Sequence, residues 1–306
     1  TTDCRNPILV ADVDTGKAHL VWEEEGIIHY AFRDGTGWHV DPDLALVGDS
    51  PVLALDGDGY PHVVYASVSV NDGQLQIMHC ARTASGWGPP QVVSNTQGPS
   101  TDPDIALIIN GNIQIVWAGN LEGKSQIYHA RSMDSGQTWF SVQPIVGAQG
   151  LAPTLAIAPD GQVWAAWQSL SSGSVSAAIY AAVWDGENWS EPVNLSQGAG
   201  GEARGPDIGC DGDGLTHLVW EAESTEGDLS VYYIAGRTSA WGAPQRISGA
   251  SDETATQPYL AIGLDDMIYV IWDAGYGLNL RQASHGNWGS IECIAVNQAG
   301  IRQVSI

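Results

Sequence analysis

The sequence predicts an all-β chain folded as a six-bladed β-propeller, four antiparallel strands to a blade. Three observations predict it. A proline leading into an apolar run recurs at Pro7, Pro51, Pro103, Pro153, Pro206 and Pro258, at intervals of 44, 52, 50, 53 and 52 residues. An aromatic closes a second apolar run at Trp22, Tyr65, Trp117, Trp167, Trp220 and Trp272. A further tryptophan follows a turn at Trp38, Trp87, Trp139, Trp189, Trp241 and Trp288. Three series sharing one period define a sixfold repeat, and radial closure hides the sheet edges of such units.

Each unit reads as four short strands, a to d, separated by clusters of Gly, Asn and Asp. No helical period appears in any unit. The blades span approximately 5–49, 50–101, 102–151, 152–203, 204–255 and 256–300 of a single domain covering 1–306. The prolines suit the start of each innermost strand, where a missing N–H is tolerable. Ala54, Ala106, Ala156, Gly209 and Ala261 are small enough for close packing there. The a–b turn is DGDG at 56–59 and 211–214, where Asp bonds nearby amides and Gly supplies positive φ. A calcium loop of the EF-hand kind needs more ligands and a terminal Glu.

Closure of the ring needs a fastener. Cys4, before the first inner strand, and Cys293, in the last outer strand, are placed for a disulfide worth about 4–5 kcal/mol in the chain-entropy model. Cys80 and Cys210 are expected to be free. The eight histidines lie mostly within strands without metal-ligand spacing, so they read as packed residues, and neither metal nor cofactor is called for.

A net charge of −24 and few basic residues disfavour nucleic acid and anionic membrane surfaces. No stretch reaches the roughly 18–20 apolar residues of a membrane helix, and the opening TTDCRNPILV lacks a basic region followed by an apolar one. The acidic, Lys-poor, Trp- and Gly-rich composition points to an extracellular or cell-surface location.

The stretch SMDSGQTW, residues 132–139, follows S-x-D-x-G-x-T-W in full. Shortened forms stand at the same place in the other blades: FRDGTGW (32–38), RTASGW (82–87), WDGENW (184–189), RTSAW (237–241) and SHGNW (284–288). The chain thereby resembles the Asp-box (BNR-repeat) proteins of the sialidase superfamily. The resemblance implies that the box is a structural turn on the face opposite the active site. Arg5-Asn6-Pro7-Ile8-Leu9 is similar to the R-x-P-x-L that opens the first inner strand of that family. This implies that Arg5 holds a substrate carboxylate through forked hydrogen bonds. The family also uses a tyrosine nucleophile activated by a glutamate and an aspartate as general acid and base; here the loop after strand b of blade one is EEEG (23–26), without that aspartate, and Tyr259, which follows Pro258, stands in another register.

Strand polarity locates a site independently. Residues just after the strand b aromatic face the end that carries the b–c loops: Glu23, Ala66, Ala118, Gln168, Glu221 and Asp273. Blades five, six and one supply carboxylates there, together with Arg5, Arg204, Tyr259 and Tyr276. Glu23, Glu221, Asp273 and Tyr259 are therefore the candidate catalytic residues, and Arg5, Arg204 and Tyr276 the candidate substrate-binding ones. The expected ligand is a glycan. Two further readings stand beside an exo-acting, sialidase-like glycosidase at the mouth of the ring: a non-catalytic carbohydrate-binding propeller and a module that binds protein. The loops at 67–74 and 168–176 would supply polar contacts to a sugar.

Overall fold

The computed structural model describes residues 4–94, 96, 98–108, 111–170, 176–224, 227–238, 240–249 and 254–296. Most of the 168–176 loop lies outside the described residues. Among the described residues there is no helix. The strands form six antiparallel sheets in chain order, each running a–b–c–d, in a six-bladed β-propeller arrangement. The chain divides into two compact units, blades one to three ending at Ile145 and blades four to six beginning at Val146.

The strands a are Cys4–Asp12, Asp49–Leu55, Ser100–Ile108, Leu151–Ile157, Ala203–Cys210 and Thr256–Ile262. Their partners b are Lys17–Glu24, Pro61–Val68, Asn112–Leu121, Val163–Gln168, Thr216–Glu223 and Ile268–Asp273. Every a–b ladder breaks register once, at the repeated proline. In blade one Arg5 faces Glu23 and Ile8 faces Val21, so Asn6 and Pro7 together oppose Trp22. The same two-against-one bulge sets Ser50-Pro51 against Tyr65 and Asp102-Pro103 against Trp117 in the first unit. In the second it sets Ala152-Pro153, Gly205-Pro206 and Gln257-Pro258 against Trp167, Trp220 and Trp272.

The residue before each proline has positive φ: Asn6 49°, Ser50 50°, Asp102 51°, Ala152 47°, Gly205 55° and Gln257 51°. The prolines thus sit inside strand a rather than at its start, where an interrupted ladder leaves no N–H to be missed. Two of the three sequence series are the two sides of one bulge.

Three strand b tryptophans, Trp117, Trp220 and Trp272, fill spaces between blades. Trp117 is fully buried with Val64 and Ile77 of blade two. In the second unit Trp220 packs with Trp164 and Ala166 of blade four, and Trp272 with Val219 and Val231 of blade five. Strand c stacks an aromatic on several of these rings, as in Trp117–Tyr128 at 5.6 Å and Trp220–Tyr232 at 6.0 Å. Four c–d turn tryptophans point into the preceding blade, edge-on to a buried ring: Trp87 on Tyr30, Trp139 on His79, Trp241 on Trp164 and Trp288 on Tyr233. Gly209 meets the close approach expected of it, because a Cβ there would lie 3.0 Å from Ile262 Cδ1.

Several histidines belong to buried pairs between strands b and c. Ring nitrogens or amide oxygens meet at His62–His79 (2.9 Å) and Gln114–His129 (2.8 Å), and histidine meets a tyrosine hydroxyl at His19–Tyr30 (2.6 Å) and His217–Tyr233 (2.7 Å). Both DGDG sequences are turns held by their first carboxylate. Asp56 Oδ1 accepts from the amides of Asp58 and Tyr60, and Asp211 Oδ1 from that of Leu215. All four cysteines are free thiols. The bridge expected between Cys4 and Cys293 is not formed, each side chain being exposed to solvent instead. Cys80 is buried and Cys210 half-buried, and burial pushes both thiols up to about 11.

The Asp box is a self-bonded turn, as its composition implies. Ser132 Oγ donates to Asp134 Oδ1 (2.8 Å) and accepts from the Gly136 amide (2.8 Å). Asp134 accepts from the Thr138 amide (2.8 Å) and hydroxyl (2.6 Å), which hold its carboxyl down to about 2. Gly136 has φ 86°, and a Cβ on it would fall 2.2 Å from His79 Cε1. The turn therefore seats against blade two, with the Ser132 hydroxyl and the Asp134 carboxylate engaged in holding it.

Candidate functional site

The bulge decides what stands at the b–c loop end of each blade. It brings the residue two before the proline directly opposite the residue after the strand b aromatic. The facing pairs are Arg5/Glu23, Asp49/Ala66 and Thr101/Ala118 in the first unit, and Leu151/Gln168, Arg204/Glu221 and Thr256/Asp273 in the second. Two of the six pairs couple an arginine to a glutamate across the ladder.

In blade one Arg5 is exposed and Glu23 half-buried, with Glu23 Oε2 accepting from Asn6 Nδ2 at 3.3 Å.

Blades five and six hold the larger group. Arg204 Nη2 donates to Glu202 Oε2 in an ion pair of two partly exposed side chains. That bond, with Glu221 and Glu223 adding negative charge nearby, raises the guanidinium pKa above its already high ordinary value. Glu221 Oε2 accepts from the Gln257 amide at 2.8 Å, tying strand b of blade five to the bulge of blade six. Gln168 makes the same kind of tie one blade earlier, its Oε1 accepting from the Gly205 amide at 3.4 Å. Asp273 Oδ1 accepts from the Gly275 amide at 2.7 Å, which closes the b–c turn of blade six. Tyr259 pairs with Ile271, two residues from Asp273, so the tyrosine and the carboxylate share one face of the sheet. Tyr276 is 52% exposed in that b–c turn, and its hydroxyl accepts from Asn279 Nδ2 at 3.1 Å.

Sequence reasoning therefore places Arg204, Glu221, Asp273 and Tyr276 at the b–c loop end of blades five and six, with Tyr259 one pair further in on the face of Asp273, while Arg5 and Glu23 form their own pair in the first unit. It missed Glu202, whose only signal is an acid two residues before Arg204. It also missed Asp207, which follows Pro206 and accepts from the Leu260 amide at 2.7 Å, beside Tyr259. Chemically, the second-unit group offers carboxylate acceptors, one guanidinium donor and an exposed phenol, the usual partners of sugar hydroxyls and sugar rings.

The sequence matches no described protein family and no curated protein. The structure is similar to several solved ones. An ulvan lyase, a polysaccharide lyase, superposes with a TM-score of 0.65 at 12% identity, covering 94% of this chain and 83% of its own. The Penicillium chrysogenum α-L-arabinanase complexed with arabinobiose gives 0.62 at 13%, covering 92% and 93%. The Fusarium graminearum α-L-arabinofuranosidase, also with arabinobiose, gives 0.59 at 13%, covering 88% of each chain. At such identities the likeness concerns the fold.

Proposed function

We propose that the chain is a glycan-acting propeller, an exo-glycosidase whose working groups lie at the b–c loop end of blades five and six. The observation that carries this reading is the pairing of Arg204 with Glu202 and Glu221 in blade five, with Glu221 bonded to the Gln257 amide of blade six, whose neighbour Thr256 faces Asp273. Glu221 and Asp273 serve as the carboxyl pair, Tyr259 supports Asp273 from the same sheet face, and Arg204 and Tyr276 hold the sugar. Arg5 with Glu23 repeats the acid–base pairing in the first unit. The sialidase-type role of Arg5 stays part of this proposal, as does an extracellular place of work.

Local charge selects among substrates. Arg204 is met by Glu202, with Glu221 and Glu223 nearby, so an anionic sugar brought to it would face net negative charge. A neutral sugar is favoured, since its hydroxyls can donate to the carboxylates and accept from the guanidinium. The named activities of the arabinanase and the arabinofuranosidase support a glycan as ligand.

A second reading, binding without turnover, is favoured by one observation: Glu221 and Arg204 are already engaged, by the Gln257 amide and by Glu202. The experiment is a hydrolysis screen on fluorogenic arabinosides, other neutral glycosides and sialosides, with Glu221→Gln and Asp273→Asn beside the parent. Turnover of a neutral glycoside lost in both variants supports the enzyme. Binding of the same sugar without turnover supports the lectin-like reading, and neither binding nor turnover of any glycan sinks both.

A further inference from the structure

We infer that the chain carries a second, separate sugar-binding site between blades one and two, at the end of the blades that bears the a–b turns. The cleft there encloses about 260 Å³ and is lined by Asp12, Thr15, Lys17, His19, Tyr30 and Phe32 of blade one and by Asp58, Gly59, Tyr60, Pro61 and Arg82 of blade two. It lies wholly within the first unit and does not rest on the proposal for blades five and six.

The decisive group is His19, only 5% exposed, whose Nδ1 bonds the Tyr30 hydroxyl at 2.6 Å while its Nε2 has no partner. Comparison among the blades shows what is unusual. The equivalent ring nitrogen is met by the a–b turn carboxylate in blade five, His217 Nε2 to Asp211 Oδ2 at 3.1 Å, and in blade two, His62 Nε2 to Asp56 Oδ2 at 3.6 Å. In blade one Asp12 lies near His19 but is bonded within its own turn. Its Oδ1 accepts from the amides of Asp14 and Thr15, and its Oδ2 from the Thr15 hydroxyl. The place taken by a carboxylate in the sister blades is thus left to the cleft, over a buried polar nitrogen whose unmet bond is costly.

The chemistry of the cleft names the occupant. The lining holds two cations, Lys17 and Arg82, and two carboxylates, Asp12 and Asp58, and Arg82 is also paired with Asp41 at 3.4 Å, so the cleft has no cationic excess to draw an anion. A hydroxyl satisfies His19 Nε2 in either tautomer, donating to it or accepting from it. A hydroxyl can also donate to Asp58 and accept from Lys17. Tyr60 and Phe32 add aromatic surface of the kind that lies against a sugar ring. The volume is below that of pockets for drug-sized ligands, at about 300–1,000 Å³, and suits one ring rather than an oligosaccharide. The occupant is a neutral monosaccharide or the terminal residue of a neutral glycan.

The test follows the histidine ring nitrogens of the full chain by long-range ¹H–¹⁵N NMR, with His19 assigned through His19→Gln. Glucose, galactose, mannose, fucose and arabinose are added in turn, with glycerol and glucuronate for comparison. At least one neutral sugar is expected to shift His19 Nε2 saturably in the millimolar range. Tyr60→Ala is expected to weaken that binding about tenfold, and Glu221→Gln to leave it unchanged. The inference is overturned if no sugar gives a saturable shift or if glycerol reproduces it. Tighter binding of glucuronate, or undiminished affinity in Tyr60→Ala, overturns it as well.

Discussion

Replacing Gly136 by alanine tests whether the Asp box is a seat between blades. The substitution has two costs. The first is backbone strain, since φ is 86° and an L-residue in that region loses about 1–2 kcal/mol, offset by roughly 0.4–1 kcal/mol from a stiffer unfolded chain. The second is a collision, because the new Cβ would lie 2.2 Å from Cε1 and 2.7 Å from Nδ1 of His79, a ring held by His62 on one side and Trp139 on the other. Overpacking of this kind costs about 1–3 kcal/mol. The total expected for Gly136→Ala is about 3 kcal/mol.

Gly123, in the b–c turn of the same blade, isolates the first cost. Its φ is 81° and a Cβ on it would meet nothing within 4 Å. Gly123→Ala should therefore lose about 1 kcal/mol. Urea unfolding followed by tryptophan fluorescence measures both, and His79→Ala supplies the cycle. In that background the excess cost of Gly136→Ala should vanish, giving a coupling of about 2 kcal/mol. Equal losses for the two glycines, or an excess that survives removal of the His79 ring, would refute the seating of the box on blade two.

Burial keeps His79 and His129 neutral down to about 3, whereas the unfolded chain protonates near 6.5. The unfolded state thus binds more protons between those values, so stability is full above pH 6.5 and falls as pH drops toward 3. His79→Gln should flatten that slope in pH-dependent unfolding. At lower pH, Asp134 contributes stability above its ordinary 3.8 that is lost as pH falls toward 2, and Asp134→Asn should remove this last acid step. Arg281 donates from Nε to Gly289 O and from Nη1 to Ile247 O, both at 2.8 Å, and lies over Trp288. Arg281→Ala should lower the unfolding free energy by about 1–3 kcal/mol, and Arg281→Lys, which has no fork, should recover little of it.

The blades were legible because proline, strand b aromatic and turn tryptophan recur at positions set by packing inside every repeat. Their geometry was not legible. That Asn6, Ser50, Asp102, Ala152 and Gln257 adopt positive φ follows from a two-against-one register, and no local preference of Ala152 or Gln257 announces it. The partner of Trp139 is likewise hidden, since His79 lies a whole blade earlier in the chain. At the candidate site, strand polarity found Glu221 and Asp273, but it could not show that Glu202 would occupy Arg204. Glu202 stands in a d–a loop whose course depends on both neighbouring blades. His19 read as an ordinary packed histidine, and its unmet nitrogen emerged only when Asp12 was seen turned to its own loop.

The sixfold repeat supplies its own controls for function. Across the bulge, proline and aromatic recur in every blade while the facing pair beside them changes freely, from Asp49/Ala66 to Leu151/Gln168 to Arg204/Glu221. Packing therefore does not dictate that pair, and its chemistry is open to be set by a ligand. Gln168 and Glu221 sharpen the point, since both accept from the bulge amide of the next blade. An amide side chain is thus sufficient for the tie, and the negative charge at 221 is not needed to hold blade six. Glu221→Gln should leave the fold and its unfolding midpoint nearly unchanged. Any loss of turnover or sugar affinity in that variant then reports the charge itself, and a large loss of stability instead would mean that the carboxylate serves the scaffold.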